Sequence, residues 1–194
     1  MDMREFRELA ISSAALAIAF GIAFSGGYRR ITNLGIDIFL VSAVAVSVSF
    51  VLHELGHRYV ARRFNCYAEY RMWTYGLLLA LAFSMFGFVF AAPGAVMIHP
   101  KLDLWGAKAS VSKKRFGLIS IAGPALNLVL AGIFFLSNLA FPWQGFTLGI
   151  MINVWLALFN MIPIPPLDGS KIFAWDKRIW AALFLFIVAL FLLI

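Results

Sequence analysis

Charge is what this sequence has least of. No Asp, Glu, Lys or Arg occurs from Met72 to Ile98, and none from Phe116 to Leu167. Charged residues make up 13% of the 194 and hydrophobic residues 63%, where a soluble domain is about a quarter charged and half apolar. A soluble fold needs polar faces between its apolar stripes, and their absence excludes that class. Uncharged apolar runs of about eighteen residues or more read as membrane-embedded segments. Cysteine is almost missing too. The single Cys66 excludes an intramolecular disulfide and leaves the redox compartment unread. Repeats, low-complexity tracts and long linkers are lacking, and the longest polar stretch, His99 to Arg115, is too short to fold alone. These absences describe one integral membrane domain over residues 1–194.

The formal net charge is +7. The Lys and Arg residues stand in short clusters at the ends of apolar segments, where they anchor in headgroups and set orientation. No basic stripe with interleaved stacking aromatics is present, so nucleic acid is excluded as a partner. Arg4 and Arg7 before Leu9–Phe24 have some signal-peptide character. The apolar run is long for that purpose, and Ser25-Gly26-Gly27 is a poor cleavage site, so an uncleaved first span is expected.

The reading is an all-α polytopic membrane protein with five to six embedded segments. They are about 9–25, 36–55 (continuing as helix towards Arg63), 74–95, 116–142, 146–162 and 179–194, with room for a short β-hairpin after the second. Segment 74–95 is interrupted by Gly76, Gly87 and Pro93-Gly94. The core is about 36–170, with flanking spans at 9–25 and 179–194.

The second segment ends in His53-Glu54-Leu55-Gly56-His57. Histidines four apart project from one helix face, one turn above the other, so both imidazoles can reach one metal ion. The intervening glutamate is then placed to take a proton from a water that zinc has acidified. Ionisable groups within membrane segments are expensive and mark function. Arg58, Arg62 and Arg63 follow at the interface, placing the histidines just inside it. A zinc hydrolase needs a third protein ligand and an open fourth position. The candidates are His99, Asp37, Glu69, Asp103, Asp168 and Asp176. Asp168 stands out by its setting, Asn160-Met-Ile-Pro-Ile-Pro-Pro-Leu-Asp168-Gly169. Its prolines break the helix at membrane depth, and its glycine lets backbones approach closely.

With His53-Glu54-Leu55-Gly56-His57, then Ala122-Gly123-Pro124-Ala125-Leu126-Asn127, then Asn160-x-x-Pro163-x-Pro165-x-x-Asp168-Gly169, the chain resembles the site-2 protease family of intramembrane metalloproteases. It resembles a compact form without a PDZ or other regulatory domain. The resemblance implies one Zn2+ per chain on His53, His57 and Asp168, and Glu54 as general base. It implies that Asn160 holds the scissile carbonyl or its oxyanion, and that Asn127 is a structural or substrate-positioning residue. It further implies that the substrates are single-span membrane proteins cut within or beside their transmembrane helices. Segment 74–95 is more apolar than the family's loop after the zinc helix.

If one metal joins the ends of the second and fifth segments, both cross the membrane in one direction, and an odd number of crossings separates them. Segment 74–95 is then re-entrant. With a cytoplasmic N-terminus this puts 14 of the 16 basic residues inside, only Arg29 and Arg30 falling outside; a full crossing by 74–95 leaves 6 inside. The positive-inside rule favours the first arrangement, with the site opening towards the cytoplasm of a prokaryotic plasma membrane. Two other classes compete. A metal transporter should carry ligands along several spans, and an inactive scaffold has no use for Glu54 beside a ligand set. A membrane zincin using Glu69 as third ligand is the other enzymatic option.

Overall fold

The computed structural model describes residues 2–27, 36–100 and 111–194. In chain order the elements are α1 (Met3–Phe24), α2 (Ile36–Arg63), β1 (Cys66–Met72), α3 (Thr74–Ser84), β2 (Gly94–Pro100), α4 (Lys113–Ala140), α5 (Gln144–Asn160), α6 (Asp168–Trp175) and α7 (Lys177–Leu193). Among the described residues, three helices are long and apolar enough to cross a membrane: Met3–Phe24, Phe39–Arg63 and Lys113–Ala140. Their outward surfaces fit that solvent. On α4, Val129, Ile133 and Leu136 lie exposed at helical spacing, a stripe that would be polar on a soluble helix. The chain is an integral membrane protein, mostly helical, with one small antiparallel sheet. Arg29, Arg30, Lys101, Asp103 and Lys108 lie outside the described residues.

Helix α2 is the axis of the packing, with α1, α4 and α5 against it. One apolar cluster joins Leu16, Phe20, Val46, Phe50, Ile152 and Leu156 from α1, α2 and α5. A second joins Ala131, Val154, Ile172 and Ile187 from α4, α5, α6 and α7.

Helix α1 starts six residues before the apolar run expected at 9–25, because its charged first turns have partners. Glu5 and Glu8 lie one turn apart and accept the Tyr70 and Met72 backbone N–H groups, each at 3.0 Å. Those donors belong to the edge of β1 that faces away from β2. Glu5 also pairs with Arg58, and the Tyr70 hydroxyl donates to Ser12 Oγ at 2.8 Å. Burial raises the Tyr70 phenol, keeping it a donor.

The segment expected as one apolar stretch from Thr74 to Ala95 is divided. Its helix is 11 residues long, about 16 Å at 1.5 Å per residue, against a hydrocarbon core of roughly 30 Å. It stops at Gly87, whose φ is +81°. Phe88 N–H reaches Phe83 O, Gly87 N–H reaches Ser84 O, and the Phe83 and Phe88 rings meet at 6.0 Å. This is the glycine-terminated helix ending in which the last carbonyls find donors and flanking apolar residues touch. The chain then runs back along α5, with Phe90 against Phe159 at 4.9 Å and Trp155 Nε1 donating to Val89 O at 3.0 Å. It closes on itself where Trp73 N–H meets Pro93 O at 2.8 Å. The expected hairpin is therefore two strands separated by α3. β1 and β2 pair antiparallel from Cys66 opposite Pro100 to Met72 opposite Gly94.

Candidate metal centre

His53 and His57 stand on the face of α2 turned to α4, and two glycines set the spacing there. A Cβ on Gly56 would press on Leu126 and on the Ala122 carbonyl, so α2 packs backbone-close on α4. A Cβ on Gly123 would fall on the Nε2 atoms of both histidines. The bare α4 backbone thus leaves a hollow that both imidazoles fill. Pro124 has no N–H for the Ser120 carbonyl, and the turn it loosens is the one whose Ile119 carbonyl takes His57.

Both imidazoles are fixed from behind. His57 Nδ1 lies 2.8 Å from Ile119 O, and His53 Nδ1 lies 2.6 Å from Asn127 Oδ1. The carbonyl can only accept, and so can Asn127 Oδ1, because Asn127 Nδ2 is already donating to Asn153 Oδ1 at 3.0 Å. Asn153 Nδ2 in turn donates to Gly149 O at 2.8 Å. Each Nδ1 therefore carries a proton, which leaves Nε2 as the ring atom turned to a metal. The two Nε2 atoms converge, 3.1 Å apart.

The third atom arrives from α6. The proline-rich turn after α5 places Asp168 in the first turn of that short helix, and Gly169 makes the turn fit, since a Cβ there would strike the Met161 and Ile162 carbonyls. Asp168 Oδ2 lies 3.3 Å from His53 Nε2 and 2.9 Å from His57 Nε2. Ligands about 2.0–2.1 Å from a tetrahedral zinc stand roughly 3.3 Å from one another. Three buried potential donor atoms at that spacing are placed to share one cation. Zinc fits this donor set, and a Cβ on Gly123 would fill the hollow beside it. Among the described residues, His53, His57 and Asp168 are the one group of three potential ligands within reach of each other.

Among the described residues, the other third-ligand candidates are engaged elsewhere or lie apart from this group. Glu69 pairs with Arg71, and the Asp176 carboxylate caps α7 by accepting from Arg178 and Ile179 N–H. His99 lies exposed on β2 opposite Tyr67, and Asp37 is exposed in the first turn of α2, many residues from His53. Glu54 sits between the histidines in sequence but outside the trio, and its Oε2 is buried without a hydrogen-bond partner. A buried carboxylate oxygen left so is costly and calls for a proton, a water or a cation. Asn160, at the end of α5, donates Nδ2 to its own helix at Leu156 O, 3.0 Å away.

Sequence reasoning missed Asn153 and Lys171. Asn153 carries a legible signal, an amide in an uncharged span two turns before Asn160. Lys171 carries another, a cation three residues after Asp168 on one helix face; its Nζ lies 3.3 Å from Asp168 Oδ1. The Ile119 carbonyl leaves no trace in side-chain types.

The model of peptidase family M50 matches residues 41–147, from α2 into α5. A Methanocaldococcus jannaschii protein named "Putative zinc metalloprotease MJ0611" is 40% identical over 187 residues, covering 93% of this chain and 88% of that one. The Bacillus subtilis "Putative zinc metalloprotease YwhC" is 32% identical over 150 residues, covering 66% of this chain and 65% of its own. The Mycolicibacterium smegmatis "Putative zinc metalloprotease Rip2" is 26% identical over 200 residues, covering 87% and 72%. No solved structure matches significantly. A matched family model over more than half the residues and a near-full-length relative at 40% identity agree with the geometry: the chain belongs to peptidase family M50.

Proposed function

We propose that this protein is an intramembrane zinc endopeptidase that hydrolyses peptide bonds within or beside the transmembrane helices of single-span membrane proteins. The observation that carries the reading is the trio of His53 Nε2, His57 Nε2 and Asp168 Oδ2 beside the unpartnered carboxylate oxygen of Glu54. His53, His57 and Asp168 would hold zinc, which would supply Lewis acidity and acidify a water molecule. Glu54 takes the proton of that water and passes it to the departing amine nitrogen. Asn160 turns its amide from Leu156 O to the developing oxyanion. Asn127, fully buried and engaged by His53 and Asn153, acts on the substrate only through the orientation of His53.

A substrate helix must open before its carbonyls can be reached, and an extended segment needs an edge to lie on. The outer edge of β1 is occupied by Glu5 and Glu8, so the edge of β2 around 94–97 is the one offered for strand addition. The test of function uses detergent-purified protein and candidate single-span substrates with and without a zinc chelator. Cleavage that stops with chelator and returns with Zn2+ is expected. Asp168→Ala should lose most of its zinc and all cleavage, because two histidines hold zinc weakly. Full zinc content with full activity in that variant would refute the ligand assignment.

The same reading gives five to six embedded segments with 74–95 re-entrant. The support is the length of α3 and the register that puts Met72 opposite Gly94, so the excursion leaves and rejoins one place. The N-terminus and the opening of the site then face the cytoplasm of a prokaryotic plasma membrane, by the distribution of Lys and Arg. In a Cys66→Ser background, single cysteines at Arg71 and Lys114 should resist an impermeant thiol reagent applied to sealed cells, and one at Gln144 should react. Labelling at position 114 with protection at 71 would show a full crossing.

A further inference from the structure

The two oxygens of Asp168 face different partners. Oδ2 is turned to both histidine Nε2 atoms, while Oδ1 is 3.3 Å from the Lys171 ammonium. Lys171 follows Asp168 by three residues on α6, so the helix itself holds the pair together. Only about a quarter of the Lys171 side chain is exposed, so the ammonium is largely withdrawn from solvent beside a group that is itself built for a cation. A like charge next to a divalent ion opposes metal binding. Its presence therefore has to serve something other than affinity. A carboxylate free to rotate can offer a metal two oxygens, and the second would take a coordination place that a hydrolytic zinc keeps open.

We propose that Lys171 is a positioning residue that holds Asp168 to one donating oxygen, keeping a place at the metal free for water and for the scissile carbonyl. This rests on the zinc-endopeptidase reading. The ammonium engages Oδ1 and leaves Oδ2 to complete the trio. With Lys171 gone, Oδ1 turns inward, the donor count rises, and the open place closes.

The test compares full-length wild type, Lys171→Met and Lys171→Arg, each loaded with Zn2+ or with Co2+. Affinity is read by competition with a chelator, donor number from the intensity of the Co2+ d–d absorption, and turnover as kcat and KM on a single-span substrate. Lys171→Met should bind Zn2+ at least as tightly as wild type and show weaker Co2+ bands, as expected for a higher coordination number. Its kcat should fall roughly 10–100-fold with KM nearly unchanged. Lys171→Arg, which keeps a cation on Oδ1, should restore both the spectrum and kcat. An unchanged Co2+ spectrum in Lys171→Met overturns the proposal, as does a loss of Zn2+ affinity, which would make Lys171 a support for α6 alone. The two metal readouts need no substrate. A wild type that binds Zn2+ but cleaves nothing would count against the endopeptidase reading, while the spectra still decide the role of Lys171.

Discussion

Glu54→Gln keeps its zinc and loses about 10²–10⁴-fold in cleavage rate, the range general base catalysis supplies. The substitution changes one oxygen to an amide of the same shape, so α2 and both imidazoles stay where they are. Glu54 is no member of the ligand trio, and the Nδ1 contacts to Ile119 and Asn127 that fix the rings do not involve it. What disappears is the capacity to accept a proton at Oε2, a carboxylate oxygen buried without a partner. The measurement pairs metal content of the purified variant with its rate on a single-span substrate. Wild-type rates would move the base to another residue; loss of metal would make Glu54 a ligand.

Gly123→Ala is expected to lose metal outright. A methyl group there overlaps His57 Nε2 and His53 Nε2 together, so it competes for the volume that the donor atoms surround. The loss should exceed the about 10–100-fold in affinity that follows removal of a supporting group. The helix is not at risk, since Ala favours a helix interior over Gly by about 1 kcal/mol. Gly132→Ala is the matched control on the same helix, at a position where a new Cβ meets nothing within 4 Å. Zinc affinity measured by chelator competition should drop for the first variant and stay at the wild-type level for the second. Equal affinity in both would mean that the ligands sit further from α4 than described.

The site was more legible in the sequence than the fold around it. Histidines four apart on one helix and an aspartate after a proline break are constrained by side-chain chemistry, and chemistry shows in residue types. The supporting atoms divide on the same principle. Asn127 and Asn153 are visible as amides in apolar spans, whereas the Ile119 carbonyl is backbone and invisible. The apolar run 74–95 was read correctly as uncharged, but hydropathy has no term for a chain that turns round. Gly87 and Pro93-Gly94 marked the interruptions without saying that 83–88 would cap a short helix or that 94–100 would join 66–72 in a sheet. The short helix α6 was missed, because eight residues after three prolines carry too little periodicity to announce themselves.

The carboxylates that α1 lends to β1 bear on the order in which this protein is made. Helix α1 leaves the ribosome before β1 does. Glu5 and Glu8 then offer acceptors spaced for alternate N–H groups of a strand that does not yet exist. When 66–72 emerges, it is bounded on that side at once and waits, for the length of α3 and its return, for β2 on the other. A nascent strand with two free edges is a template for any passing chain. In this protein that interval is spent with one edge already filled, by a helix standing in for the missing strand.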